Sequence, residues 1–148
     1  MIVYMDTSAL VKHYVLEPGS NRVLKFWNQA DAIAISVVGY AEVLATFQRK
    51  YREQSLSDDE LEALISEFKD DWSMFNRVDV KMILFPIIDR LLKDYRLRGF
   101  DVIHLSSCIK LHESINDEVV FLCADHRLLE AAEREKITTV DASIDRRL

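Results

Sequence analysis

The stretch Ile2-Val3-Tyr4-Met5-Asp6-Thr7-Ser8-Ala9-Leu10-Val11 decides the fold. Four apolar residues lead straight into an aspartate with no polar position between them. A run of that kind reads as a strand buried on both faces, as in a parallel sheet. Thr7 to Val11 then read as the opening of a helix. The same succession returns near the other end, where Val119-Val120-Phe121-Leu122 lies in a strand over Glu118–Ala124, followed by Asp125 and a helix to Glu135.

Working outward, further short strands are expected at Ala32–Ile35, Arg77–Lys81 and Ile137–Val140. Helices fill the intervals. Pro18-Gly19-Ser20 interrupts the chain, and a helix with Val23, Leu24 and Trp27 on one face follows. A long helix is expected from Val37 to about Glu53, with Val38, Ala41, Leu44, Ala45 and Phe47 near the helical period. Ser57 and Glu60 form a capping-box signal ahead of a helix bearing Leu61, Leu64, Ile65, Phe68 and Trp72. The short connection makes these two helices an antiparallel hairpin protruding from the domain. Pro86 is tolerated only in a first turn, so the next helix starts near Ile83 and runs to about Leu97. Gly99 punctuates, and Asp101 to His112 is helical. Strands alternating with helices predict an α/β fold of three layers, α/β/α, around a central parallel sheet. Residues 1–148 read as one domain.

Composition sets outer limits. A hydrophobic fraction of 49% with 30% charged residues excludes a disordered chain. The net charge of −6 argues against binding nucleic acid through charge alone, but not against an enzyme with an acidic site. Cys108 and Cys123 form no CxxC pair and read as buried thiols of a reducing compartment. The N-terminus lacks a basic lead, and Met82–Ile88 is far shorter than the roughly 20 residues a membrane span needs. A soluble, cytoplasmic protein is expected.

Ligands of open parallel sheets bind beyond the carboxyl ends of the strands. Asp6 and Asp125 stand at such ends, and Asp101 opens a helix after Gly99-Phe100. Each is also a favoured helix N-cap, worth about 0.5–2 kcal/mol, so capping is the competing explanation. Glu42 has no capping role, and Ala41, Val43, Leu44 and Ala45 around it suggest a buried segment where a carboxylate needs a partner or an ion. Two unit charges ~4 Å apart repel by roughly 4 kcal/mol at an effective dielectric of 20. Four clustered carboxylates therefore protonate or admit cations. Oxygen-only ligands favour Mg²⁺ or Mn²⁺, ions that polarise phosphoryl oxygens and acidify bound water.

Four segments carry a resemblance: Asp6-Thr7-Ser8-Ala9-Leu10; Ala41-Glu42-Val43; Arg98-Gly99-Phe100-Asp101-Val102-Ile103-His104-Leu105; and Ala124-Asp125-His126-Arg127-Leu128. In this order, on alternating strands and helices, they resemble the acidic motifs of PIN-domain ribonucleases, above all VapC-type toxins of toxin–antitoxin modules. The resemblance spans nearly the whole chain. It implies a Mg²⁺- or Mn²⁺-dependent endoribonuclease with Asp6, Glu42, Asp101 and Asp125 around the metal and Ser8 assisting. It further implies a homodimer, an antitoxin whose C-terminal segment blocks the groove, and products with 5′-phosphate and 3′-hydroxyl ends. Some relatives carry an acid or hydroxyl where this chain has Cys123, a poor ligand for a hard second metal.

RNA demands positive charge near the site. Arg49, Lys50 and Arg52, Arg96 and Arg98, and Arg127 are the candidates, whereas Arg146-Arg147 reads as a flexible tail. His104 reads as a hydrogen-bonded core residue, and His126 as a residue that could approach a phosphate. Trp27 and Trp72 read as packing residues. Tyr40, Phe47, Phe68 and Phe75 could line an apolar groove on the hairpin that suits a partner helix. Two other functions compete: a PIN-like module that binds RNA or a partner without cutting, and a phosphoryl-transfer protein of similar topology. A response-regulator acceptor lacks its adjacent acids here, and a haloacid-dehalogenase site lacks the second aspartate after Asp6-Thr7.

Overall fold

A computed structural model describes residues 1–145; the Arg146-Arg147 tail lies outside them. The chain runs β1 (Ile2–Met5), α1 (Thr7–Tyr14), α2 (Ser20–Gln29), β2 (Ala32–Ser36), α3 (Val38–Arg52), α4 (Asp58–Trp72) and β3 (Asn76–Val78). A single 3-10 turn at Met82–Leu84 leads into α5 (Phe85–Asp94), followed by α6 (Gly99–Ser114), β4 (Val119–Cys123), α7 (His126–Arg134) and β5 (Thr138–Asp141). The five strands pair in the order β3-β2-β1-β4-β5, every pair parallel.

Alternation along each strand divides the core into two layers. Val3 and Met5 of β1, Ile33 and Ile35 of β2, and Val120 and Leu122 of β4 join the core under α1, α2, α3 and α4. Tyr4, Ala34, Val119, Phe121 and Cys123 point the other way, into the core under α5, α6 and α7. The expected α/β/α sandwich with a central parallel sheet is therefore present, and its inner strands are continuous apolar runs because both faces are covered. Among the described residues, no helix is long and apolar enough to cross a membrane.

The chain builds β1, β2 and β3 outward in one direction, then returns to place β4 and β5 on the other side of β1. The direction reverses between β1 and β4, and the crevice at such a switch point lies beyond their carboxyl ends. Met5 pairs with Leu122 across that junction. Asp6 and the residues after Cys123 are thereby delivered to one rim.

Local signals explain most of the helix boundaries. Asp6 caps α1, Asp125 caps α7, and Ser57 with Glu60 forms a complete capping box on α4. Pro86 sits in the first turn of α5, where its missing N–H costs nothing. Four expectations shift. The third strand is Asn76–Val78 rather than Arg77–Lys81, because its sole neighbour β2 ends at Ser36, opposite Val78. The fifth helix ends at Asp94, not Leu97. Gly99 is inside α6, so Asp101 is its third residue and Arg98 its cap. On α3 the buried positions are Gly39, Val43 and Phe47, whereas Ala41 and Ala45 face solvent. Alanine is indifferent to which side it faces, so counting it as apolar rotated the expected face. Leu24 on α2 is likewise exposed.

Two glycines separate conformation from contact. Gly39 lets α3 approach β2, since a Cβ there would stand 2.4 Å from Ile35 Cδ1. Gly19 adopts φ +95°, and a Cβ would lie 1.9 Å from the Ala142 carbonyl oxygen. We expect Gly19→Ala to lower stability by about 2–3 kcal/mol, through left-handed strain and a backbone clash. Gly99→Ala, with no atom within 4 Å of the added Cβ, leaves stability unchanged or slightly raised. Thermal denaturation of the two variants checks both expectations.

Candidate active site

Asp6 follows the central strand and is only 4% exposed. Its backbone N–H donates to the Leu122 carbonyl at 3.2 Å, continuing the β1–β4 pairing by one bond. Its Oδ1 caps α1 by accepting from the Ala9 N–H at 3.0 Å. The Ser8 hydroxyl lies 2.7 and 2.9 Å from its two carboxylate oxygens, and the Cys123 thiol donates at 3.3 Å. None of these partners carries a positive charge. Burial raises the Asp6 pKa, and the charge of His104 and the bonds from Ser8, Ala9 and Cys123 only partly offset it. Capping and a site role thus coexist: the cap fixes the carboxylate, and its remaining electron pairs stay available.

Ser8 also accepts from the Ala124 N–H at 3.0 Å, which clamps the end of β1 to the loop after β4. In that loop Asp125 caps α7 through the Leu128 N–H at 3.0 Å. Asp101, in the first turn of α6, caps nothing. Burial raises its pKa first, and the neighbouring charges of Asp125 and Asp6 raise it further. The three aspartates therefore feel one another electrostatically.

Glu42 reaches the rim from α3. Its Oε1 accepts from the Thr7 hydroxyl at 2.8 Å and lies 2.7 Å from His104 Nε2. His104 is 2% exposed, and its Nδ1 stands 3.0 Å from the Tyr4 hydroxyl, which in turn accepts from the Ser36 N–H at 3.0 Å. Nε2–H of His104 donates to Glu42, and the Nδ1 contact with Tyr4 completes the chain back to the Ser36 backbone. Burial pushes the Glu42 carboxyl up, but the bond and charge of His104, helped by Thr7, outweigh it and leave the pKa below its usual value.

One cleft of about 470 Å³ is lined by Asp6, Thr7, Ser8, Glu42, Asp101, His104 and Asp125. All four acids expected from the sequence, and Ser8, line it. Lys12, Arg49, Lys50 and Arg98 line it too. An adjoining cleft of about 380 Å³ shares Arg98, Asp101 and Asp125 and adds Arg96, His126 and Arg127. Arg52 stands instead at the far end of the hairpin.

The carboxylates share the cleft without closing on a point. Among the described residues, no three of them bring oxygens within 4.8 Å of one another, and His104 with Thr7 holds Glu42 at one wall. Oxygen donors spread around an open cleft fit a hard, hydrated cation, which keeps several of its waters and takes few direct carboxylates. Asp6, buried with no counter-charge among its hydrogen-bond partners, is the clearest sign of that fit.

Other residues depart from expectation. His104 is a hydrogen-bonded core residue, as read, but its partner is a cleft carboxylate; its place three residues after Asp101 on one helix was the available signal. Lys12 carried no such signal. It and Lys50 enter the cleft tethered to Glu17, at 3.2 and 2.7 Å. His126 bonds Asp141 and Ser143 at the protein surface. Phe47, Phe68 and Phe75 are buried. Together with Tyr40 and Trp72 they pack on one another, so the apolar groove expected on the hairpin is filled from within.

Comparison with known proteins supplies a family. The model of the PIN domain matches residues 3–135. Ribonucleases VapC45 and VapC49, from two strains of Mycobacterium tuberculosis, are each 31% identical over 108 residues, covering 73% of this chain and 75% of theirs. In three dimensions the chain is similar to VapBC2 from Rickettsia felis, solved bound to a DNA fragment from its promoter. The TM-score is 0.64 at 16% identity, over 95% of this chain and 98% of that one. It is also similar to Mycobacterium tuberculosis VapC20, described as a sarcin-ricin loop cleaving toxin. There the TM-score is 0.62 at 13% identity, over 87% and 94% of the two chains. With the four acidic segments at the switch point of a five-stranded parallel sheet, these likenesses make the chain a member of the PIN domain family and a relative of the VapC ribonucleases.

Proposed function

We propose that this chain is a VapC-type endoribonuclease toxin that hydrolyses RNA phosphodiester bonds with Mg²⁺ or Mn²⁺. The observation that carries this reading is the one cleft that Asp6, Glu42, Asp101 and Asp125 all line, from four different elements. Asp6 and Asp101 would hold the ion directly, and Glu42 and Asp125 would complete the set, directly or through water. The bound ion supplies charge for the phosphoryl oxygens and acidifies a water.

The chain's own residues do the rest. Ser8 holds Asp6 and the loop carrying Asp125 in register. His104, braced by Tyr4, fixes Glu42 on the opposite wall and acts as a positioning residue. Arg49, Lys50 and Arg98 attract the phosphates that four carboxylates would otherwise repel, and Arg127 extends that surface into the adjoining cleft. The scissile step forms one bond from water oxygen to phosphorus and breaks the bond to the 3′ oxygen. It leaves a 5′-phosphate and a 3′-hydroxyl.

An antitoxin and a second copy of the chain are the proposed protein partners. The structural relatives include a toxin–antitoxin complex from Klebsiella pneumoniae. Met82, Ile83, Phe85 and Leu92 expose large apolar side chains on the 3-10 turn and α5, the kind of surface a homodimer buries. Two unpaired buried cysteines support a reducing, cytoplasmic setting.

Asp6→Asn keeps the cap, since asparagine caps as well as aspartate. It is expected to lower cleavage of a mixed RNA pool in Mn²⁺ by about 100-fold or more without loss of fold. Cleavage that persists in the pure variant, or in chelator with the parent protein, overturns the assignment; retained RNA binding without any metal-dependent cutting favours the non-cleaving module.

His104→Leu strands the Tyr4 hydroxyl and frees Glu42. It should cost about 1–3 kcal/mol of stability and about 10–100-fold in cleavage rate. Denaturant titration and initial rates measure the two effects separately.

The pH dependence follows from Asp6. Its folded pKa is raised, so the folded state holds the proton more tightly than the unfolded one. In chelator, ionised Asp6 therefore opposes folding at neutral pH, and that penalty fades as pH falls through the raised pKa. Asp6→Asn, which is neutral throughout, should be the more stable protein at pH 7. Its advantage in Tm should shrink on acidification toward the ordinary carboxylate range. A constant difference across that window would show that Asp6 is not destabilised by its charge.

A further inference from the structure

The far end of α1 carries side chains that the carboxylate cleft does not use. His13 projects from the last turn of α1, and Glu67 and Asp71 sit one turn apart on α4. A nitrogen of His13 and one carboxylate oxygen from each acid lie within 4.8 Å of one another. Yet His13 Nδ1 is buried without a hydrogen-bond partner. Among the described residues, the histidine ion pairs are His104–Glu42 and His126–Asp141, so His13 has none.

The group is held in place by contacts that leave its donors free. The His13 ring stacks on Trp27 at 3.7 Å and 9°, and meets Tyr14 edge-on at 4.9 Å. The Tyr14 hydroxyl donates to Asp71 Oδ2 at 2.7 Å, which orients the carboxylate and leaves its other oxygen available. Burial lowers the His13 pKa, against the pull of Asp71, which favours the neutral, metal-ligating ring. As protein alone the arrangement is unfavourable. Two acids one turn apart repel, and a buried ring nitrogen goes unsatisfied.

We propose that His13, Glu67 and Asp71 form a Zn²⁺ site that ties α4, and with it the α3–α4 hairpin, to α1. One imidazole nitrogen and two carboxylate oxygens with a position left for water are a Zn²⁺ donor set, whereas Mg²⁺ prefers oxygen alone. The Tyr14–Asp71 bond and the Trp27 stack are the outer contacts that hold ligands of such a site in register. The site is chemically distinct from the carboxylate cleft, and His13 is separated from Asp6 by most of α1, about 10 Å at the helical rise. Because α3 contributes Glu42, Arg49 and Lys50 to the cleft, the clip fastens the element that carries one of its walls.

The test uses the whole chain carrying Asp6→Asn and Asp101→Asn, so that the acidic cleft does not compete. Chelator-stripped protein is titrated with ZnCl₂ in a calorimeter and melted with and without the ion. We expect one equivalent of Zn²⁺ and a Tm rise of about 5–10 °C at about 100 times the dissociation constant, with no comparable rise from Mg²⁺. Glu67→Gln, at an exposed position, should weaken Zn²⁺ at least tenfold and remove about half of the rise or more at the same Zn²⁺ concentration while the metal-free Tm holds. His13→Gln should do the same, although loss of its stacking on Trp27 also lowers the metal-free Tm. No Zn²⁺-dependent rise in the parent, or Zn²⁺ bound equally well by Glu67→Gln, overturns the site without touching the assignment of the carboxylate cleft.

Discussion

The structure turns on one buried carboxylate. Asp6 stands at the end of the central strand, capped, hydrogen-bonded and deprived of both water and a cationic partner. A folded protein has no reason of stability to keep a charge there, because the cap alone could be made by a neutral residue. What keeps it in place is topology. The strand order reverses direction between β1 and β4, so the carboxyl ends of these two strands border a crevice that no further strand fills. Asp6 and Asp125 border that crevice from the strand ends, Asp101 from the start of α6, and Glu42 from the first turns of α3.

Compensation of the negative charge is divided in two. Glu42 is satisfied by the protein itself, through a chain of bonds from the Ser36 backbone by way of Tyr4 and His104, and its acidity is enhanced. Asp6 and Asp101 are left with raised pKa values, by burial first and, for Asp101, by the other acids next. The first arrangement fixes geometry and the second stores an affinity for cations. A cleft with all its carboxylates satisfied internally would bind no ion, and one with none satisfied would not hold its shape.

How much of this was legible in the sequence depends on which force sets each feature. The strands of the sheet interior were readable because burial on both faces demands uninterrupted apolar runs such as Ile2–Met5 and Val119–Cys123. Caps were readable because Ser57, Asp6 and Asp125 each satisfy an orphan N–H locally. Asp6 and Asp125 were readable because strand ends are places where a carboxylate can be exposed to a ligand and still be held, whereas Asp101 and Glu42, on helices, stood out through the acidic segments of the resemblance. The edge strand was displaced because its length is set by its neighbour β2, a non-local fact. The face of α3 was misread because alanine carries little information about burial. Lys12 was beyond reach, and for His104 only its place on the Asp101 face of α6 was legible, not Glu42 as its partner, since both depend on how α1, α3 and α6 approach one another in space.

The same division explains how a chain of net charge −6 can offer RNA a surface. Asp6, Glu42, Asp101 and Asp125 line one cleft, where the proposed divalent ion would offset part of their charge. Around them Arg49, Lys50 and Arg98 come from α3 and from the cap of α6, elements that already carry Glu42 and Asp101. Each of these two elements therefore supplies both a cleft carboxylate and a cation beside it. A rigid displacement of either would move its carboxylate and its cation together, so the spacing between them is set within single helices, where it is least deformable. Glu17 adds a restraint of its own, since it holds Lys12 of α1 and Lys50 of α3 at ion-pair distance across the cleft. The cationic rim is thus built into the fold rather than scattered over the surface, and the overall acidity of the chain says little about the charge a phosphate meets on entering the site.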